Sequence, residues 1–209
     1  MGMLETYASN VDETAGQACW FVYLLPILDC SAFKVGFSSN PLRRIYSFSH
    51  RYFDRFDFDQ AVLLKMDACS GVRSVEAALK EAFTEFRTEA PCWVPAEAGG
   101  HTEWFSSDSF TQAAEQLRSF ATIDERARVI KVSDFIGSEL TRLISSFEEW
   151  ALHHAHAVRD DMISVSLGYE PTVAMEPLRD WFDAYRFFEI RLFADDPAAL
   201  QFITESIRR

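Results

Sequence analysis

Tyr23, Lys34, Arg44 and Glu76 are residue types that, in this order, could hydrolyse a phosphodiester. Tyr23 lies in Phe21-Val22-Tyr23-Leu24, and eleven residues after Tyr23 begins the run Lys34-Val35-Gly36-Phe37-Ser38-Ser39-Asn40-Pro41-Leu42-Arg43-Arg44-Ile45. The reaction needs an activated water, charge neutralisation on the phosphate and stabilisation of the leaving oxygen. An arginine can grip phosphate oxygens and stabilise the charge of the transition state. A tyrosine can position or deprotonate a water. A lysine can contact a phosphate as a point charge or lower the pKa of a nearby tyrosine. One carboxylate with waters can hold Mg²⁺ or Mn²⁺ as a Lewis acid. Each residue also has a plain structural use. Tyr23 suits a core strand, Arg44 a solvated helix face, and Lys34 a sheet edge. Glu76 could pair with Arg73 or Lys80 on its own helix. Taken singly, those uses weigh more. Taken together, the spacing from Gly36 to Arg44, the Asn-Pro between them and the downstream Glu point to a site.

The elements that would position these residues follow from periodicity. Trp20 to Ile27 is aromatic and β-branched and reads as a buried strand, with Ser31 to Phe37 as its hairpin partner. Asn40 caps a helix that starts at Pro41, where the missing N–H costs nothing. On it Leu42, Ile45, Tyr46 and Ser49 share one face, with Arg44, Phe48 and Arg51 opposite. Gln60 to Met66 is a third strand, followed by a turn at Ser70-Gly71. A helix over 73–87 buries Val75, Leu79, Phe83 and Phe86, with Glu76 at the border of that stripe. Residues 88–102 read as a loop, and Ser107 or Asp108 caps a helix carrying Phe110, Ala114, Leu117 and Phe120.

The first 120 residues resemble the GIY-YIG nuclease superfamily. Phe21-Val22-Tyr23 lines up with its first motif and Lys34-Val35-Gly36 with its second. Arg44 stands eight residues after Gly36, at the place of the family's arginine, and Glu76 matches the metal-binding glutamate on a later helix. Glu103-Trp104-Phe105, and Lys in place of the second tyrosine, are similar to the branch typified by a phage T5 open reading frame and the meiotically up-regulated nuclease-like proteins. The resemblance implies Tyr23 as general base, Arg44 as phosphate clamp, Glu76 as ligand of one Mg²⁺ or Mn²⁺, and Lys34 as an auxiliary. The sequence departs from the pattern at Phe21, at Lys34, and in lacking the family's late Asn.

In a chain of net charge −12, residues 33–55 hold five cations, Lys34, Arg43, Arg44, Arg51 and Arg55, against the single acid Asp54. Arg43, Arg44, Arg51, Lys34 and His50 are therefore the candidate substrate contacts. Such an island suits one phosphate better than a long duplex, whose binding would be weak and salt-sensitive. No apolar run approaches a membrane span, and the N-terminus lacks the order of a secretory signal. Cys19, Cys30, Cys69 and Cys92 form no C-x-x-C pair and read as buried free thiols of a cytoplasmic protein.

The domains expected are a leader (1–18), a nuclease-like domain (19–121) and, past a charged boundary at Thr122–Arg128, a C-terminal α+β domain (129–209). The last would hold a long helix over 134–158 and two strands, one with Ile163, Val165 and Leu167 and one with Phe188, Ile190 and Leu192. Asp196-Pro197 would start a final helix. The heptad-like spacing of Ile136, Leu140, Leu143, Phe147, Trp150 and His154 could form a homodimer seam. His153, His154 and His156 suit a packed or solvated helix better than a metal site. The fold expected is α+β, with a small, mainly antiparallel three-stranded sheet flanked by helices. The function expected is a divalent-metal-dependent endonuclease of phage, plasmid or defence type acting on nucleic acid, DNA foremost. The alternative is a catalytically silent binding module working through a protein partner, which the charge and the two altered motif positions favour.

Overall fold

A computed structural model describes residues 19–167 and 173–208, so the expected leader lies outside the described residues. The apolar run at Trp20–Pro26 forms β1 and Ala32–Ser38 forms β2, paired antiparallel with Tyr23 opposite Gly36. Cys30, with φ 56°, takes the left-handed position of their turn. Asn40 caps α1 (Pro41–Phe48) as expected, its Oδ1 accepting from the Arg43 N–H at 3.0 Å. β3 (Val62–Met66) pairs with the other edge of β1.

The helix expected over 73–87 is α2 (Cys69–Ala82), so Ser70 and Gly71 are helical rather than a turn. The chain then tightens into a 3₁₀ turn at Thr84–Phe86, which leaves Phe86 36% exposed and off the expected buried stripe. β4 (Arg87–Thr88) and β5 (Trp104–Ser106) follow, then α3 (Phe110–Ile123) and β6 (Arg128–Lys131). The sheet has six strands in the order β4-β5-β2-β1-β3-β6, every neighbour antiparallel, so the chain is α+β with a wider sheet than the three strands expected. The extra strands are two to four residues long, too short for a period of two to register. β6 is an edge strand, and Arg128 and Lys131 on it are exposed.

Alternation along the strands sorts the sheet's two faces. Val22, Leu24, Phe33, Val35 and Leu64 join Val72, Val75 and Leu79 of α2 and Ala113, Ala114 and Leu117 of α3 in the main core. Each of the Val, Leu and Phe side chains contributes about 1.5–3 kcal/mol by leaving water. Tyr23, Lys34 and Gly36 alternate with these and lie on the opposite face. There α1 turns Leu42, Ile45 and Phe48 inward. Phe48 shares its face with Arg44 as expected, but that face turns towards the sheet and Phe48 is buried. Its ring meets Phe56 and Trp104, each with centroids 6.1 Å away.

The boundary expected at Thr122–Arg128 falls inside the first compact unit. β6 follows at once and pairs with β3, and that unit runs to Ile136, with the second comprising the chain from Gly137. The single helix expected over 134–158 is two, α4 (Val132–Arg142) and α5 (Ile144–Ser166). They are interrupted at Leu143, whose N–H is shared between the carbonyls of Glu139 and Leu140. α6 (Glu176–Phe187) and α7 (Pro197–Arg208) follow. Asp196 caps α7 as expected, its Oδ1 accepting from the Ala199 N–H at 3.0 Å.

The second unit is helical rather than α+β among the described residues. Ile163 and Val165 lie in the last turns of α5, where Ile163 and Met162 are exposed. Phe188, Ile190 and Leu192 form the exit from α6, where Glu189 takes φ 55° and the Ile190 N–H donates to the Tyr185 carbonyl. Three alternating apolar residues also fit a helix end. The second unit's core includes Leu140, Phe147, Trp181 and Tyr185. The rings of Phe147 and Tyr185 are stacked at 4.6 Å, and the buried Tyr185 hydroxyl donates to the Leu140 carbonyl at 3.0 Å. No helix among the described residues is long and apolar enough to cross a membrane.

Candidate functional site

Tyr23 projects from the middle of β1 across its cross-strand partner Gly36. A Cβ at Gly36 would fall on the Tyr23 hydroxyl and 2.6 Å from Cζ, so only glycine lets the ring lie over β2 there. The hydroxyl accepts from Arg44 Nε at 3.3 Å, which brings the first motif's tyrosine and the helical arginine together. The Arg44 guanidinium also lies 4.4 Å from the Phe48 ring, donates to Ser47 Oγ at 3.4 Å, and reaches the backbone carbonyls of Ala98 and Gly99. Burial pushes the Tyr23 hydroxyl up to about 12, although Arg44 beside it pulls the other way. It therefore keeps its proton at neutral pH. Arg44, not Lys34, is the cation acting on it.

Lys34 is completely buried in β2. Its ammonium donates to Glu103 Oε2 at 2.7 Å, to the Val35 carbonyl at 2.9 Å and to the Glu103 carbonyl at 3.4 Å, so each of its three protons has an acceptor. Burial lowers Lys34 to about 8, against the pull of Glu103. Glu103 comes from the residue before β5, whose Trp104 pairs with Lys34 in register. Its backbone carbonyl also accepts from the Val35 N–H at 3.1 Å.

The other oxygen of Glu103, Oε1, accepts from Lys80 Nζ at 3.1 Å, and Lys80 in turn lies 3.2 Å from Glu76 Oε2. Partial burial alone would raise the Glu103 carboxyl, but the hydrogen bonds and charges of Lys34 and Lys80 outweigh it and hold it below the usual carboxylate range. Burial works against the charge of Lys80, yet Glu103 and Glu76 hold it above the ordinary lysine value. Glu76 sits on α2 with its side chain only 9% exposed, at the border of the buried stripe as expected. Its pairing with Lys80 is the helical (i, i+4) contact weighed from the sequence.

These groups converge. A single Cβ position above Gly100 would lie 3.0 Å from Arg44 Nη2, 3.0 Å from Glu103 Oε2 and 3.1 Å from Lys34 Nζ. Gly99 and Gly100 have φ of 66° and 69°, and this left-handed pair lets the 98–103 segment close over the cluster. Glu103 and Lys80 are the members that reasoning from sequence missed. The signal available was Lys34 itself, a charge in an apolar strand that requires a buried counter-charge.

The other candidates fall elsewhere. Arg43 is exposed on α1. Arg51 pairs with Asp54 at 2.7 Å and lies over the Phe53 ring. His50 stacks on Tyr46 with centroids 4.5 Å apart. His154 stacks on Trp150 and His156 on Phe202, as packed helix residues do. The cysteines are not the buried thiols expected, since Cys30 and Cys92 are exposed and Cys19 and Cys69 half-buried. Among the described residues no three His, Cys, Asp or Glu side chains are grouped to hold a metal. The donor set near the site is Glu76 and Glu103, hard oxygen ligands of the kind Mg²⁺ and Mn²⁺ take. Both already share one cation, the Lys80 ammonium.

Neither a curated protein nor a solved structure matches the chain. Residues 21–131, a little over half of it, match the T5orf172 domain, a span that starts in β1 and ends with the last residue of β6. It takes in Tyr23, Lys34, Arg44, Glu76, Lys80 and Glu103, and the chain belongs to the T5orf172 family.

Proposed function

We propose that the protein is a GIY-YIG-type endonuclease that hydrolyses nucleic-acid phosphodiester bonds, DNA foremost, with one Mg²⁺ or Mn²⁺. The T5orf172 match supports a nuclease-like, DNA-related role. The observation that carries the reading is the Tyr23–Arg44 contact over Gly36, with Glu76 and Glu103 near enough to act electrostatically on Tyr23.

In this reading Arg44 binds the scissile phosphate and stabilises the charge that develops on it. Its carbonyl partners at Ala98 and Gly99 yield to phosphate oxygens, which bear more charge. Tyr23, protonated at neutral pH, orients the attacking water through its hydroxyl. It does not take the water's proton, which passes to bulk water as the new P–O bond forms, and the leaving oxygen takes a proton from bulk water as the old one breaks. Glu76 holds the metal, which when bound supplies Lewis-acid charge to the phosphate. Lys34 acts by fixing Glu103, since its protons are already engaged. Arg43 is the exposed cation nearest in sequence to Arg44 and serves to lead the strand in. The C-terminal unit contributes target choice or self-association.

One feature favours a second reading, a silent module that acts through a protein partner. The Lys34 ammonium has all three protons engaged within the chain, and the Arg44 guanidinium four of its five. Nicking of supercoiled plasmid at low salt with Mg²⁺ or Mn²⁺ separates the two. The endonuclease reading expects nicking by the native protein that is lost in both Glu76→Ala and Arg44→Ala. Absence of cleavage of duplex, single-stranded DNA and RNA alike would leave the binding module as the better account.

A further inference from the structure

Lys80 Nζ lies 3.2 Å from Glu76 Oε2 and 3.1 Å from Glu103 Oε1, so two carboxylates from different parts of the chain aim at one cation position. We infer that Glu76 and Glu103 together form the divalent-cation site, and that Lys80 is its resident counter-ion, which a metal must displace. This rests on the metal-dependent reading above and adds two residues to it.

The two carboxylates are held in place without Lys80. Glu103 keeps Oε2 on the fully buried Lys34 ammonium, and its backbone carbonyl is fixed by the Val35 N–H. Glu76 is anchored by the α2 backbone beside Val75 and Leu79, which are buried in the main core. Lys80 is the member that can turn away: among the described residues its ammonium contacts only Glu76 and Glu103, and it ends a flexible four-carbon stem two residues before the end of α2.

Lys34, Lys80 and Arg44 outnumber Glu76 and Glu103 by one charge, so the cluster carries +1 with Lys80 in place and becomes neutral when Lys80 turns to solvent. A dication entering with Lys80 still seated would meet an ammonium in van der Waals range of its own ligands. Metal loading and Lys80 seating are therefore mutually exclusive occupancies of one position, and the resident ammonium sets a threshold that the metal concentration must exceed.

The test is Mn²⁺ binding to the full chain, followed by isothermal titration calorimetry and by the electron-spin signal of free Mn²⁺. Native protein is compared with Lys80→Met, Lys80→Gln, Glu76→Gln and Glu103→Gln. Thermal melting of each variant establishes that it is folded, and Lys80→Gln serves if the methionine variant is not. The inference expects at least a tenfold lower Kd for Mn²⁺ when Lys80 is neutralised. It also expects weakened binding in Glu103→Gln as well as in Glu76→Gln. Binding that depends on Glu76 but is unchanged or weaker without Lys80 overturns the inference and leaves the metal-dependent reading standing. No Mn²⁺ binding by native protein or by either Lys80 variant overturns both.

Discussion

A lysine with no exposed surface is tenable in β2 because Glu103 sets a carboxylate oxygen 2.7 Å from its ammonium. Removing that charge while keeping the shape, as in Glu103→Gln, leaves Lys34 buried beside a neutral amide. The expected cost is roughly 2–4 kcal/mol in urea unfolding, since Glu103 is itself partly exposed and its charge partly screened. The pH dependence has two limbs. The Glu103 carboxyl is lowered in the folded protein, so its contribution is complete above the ordinary value of 4.5 and is lost as pH falls through the lowered one. Lys34 is lowered to about 8, so its buried charge costs stability below pH 8, and that cost is relieved as pH rises from 8 towards 10.5. Unfolding curves of native protein and Glu103→Gln across pH 3–6 check the first limb, which the variant is expected to lack. Tyr23, Gly36 and Arg44 were legible because their spacing fits one strand pair and one capped helix. Glu103 was not, because its partner Lys34 lies 69 residues away and only the pairing of β5 with β2 joins them.

At the scale of elements, Arg44 depends on where α1 begins. Asn40 fixes that start by accepting from the Arg43 N–H, and the Arg44 N–H closes the first turn on the Asn40 carbonyl at 3.1 Å. Asn40→Ala is expected to cost about 1 kcal/mol in urea unfolding and to lower cleavage by loosening Arg44, whereas Asn40→Asp or Asn40→Ser retains most of both. An unchanged melt in Asn40→Ala would show that the cap is not what positions the helix. This cap, the β1–β2 hairpin and β3 could be read directly, since each is a local pattern with its own turn or cap chemistry. β4 and β5 could not, because they are short and are specified by contacts across the sheet. The second unit was misread for a related reason. Alternation over Ile163–Leu167 and Phe188–Leu192 covers one and a half helical turns at most, and here the first falls at the end of a long helix, with Ile163 and Leu167 exposed, and the second at a helix exit.

For the whole molecule, the charge of −12 and the basic segment at 33–55 act on different scales. Arg51 is drawn into a pair with Asp54, Lys34 into one with Glu103, and Arg55 lies over the Trp93 ring, which leaves Arg43 and Arg44 as the cations proposed to meet a phosphate. With so small a basic face, the nuclease proposed above would engage its substrate at one phosphodiester rather than along a duplex, and neutralising one or two phosphates gives its binding only a shallow dependence on salt. The T5orf172 match covers the β1–β6 span and stops short of the helical second unit, so the proposed chemistry belongs to the first unit. The most direct measurement is single-turnover cleavage of a DNA substrate with Mn²⁺ by native protein and by Tyr23→Phe, which keeps the packed ring and removes only the hydroxyl. The account predicts a rate lower by about 10²-fold in the variant, since the water loses the group that positions it, with little change in melting temperature. Equal rates in the two proteins would contradict it.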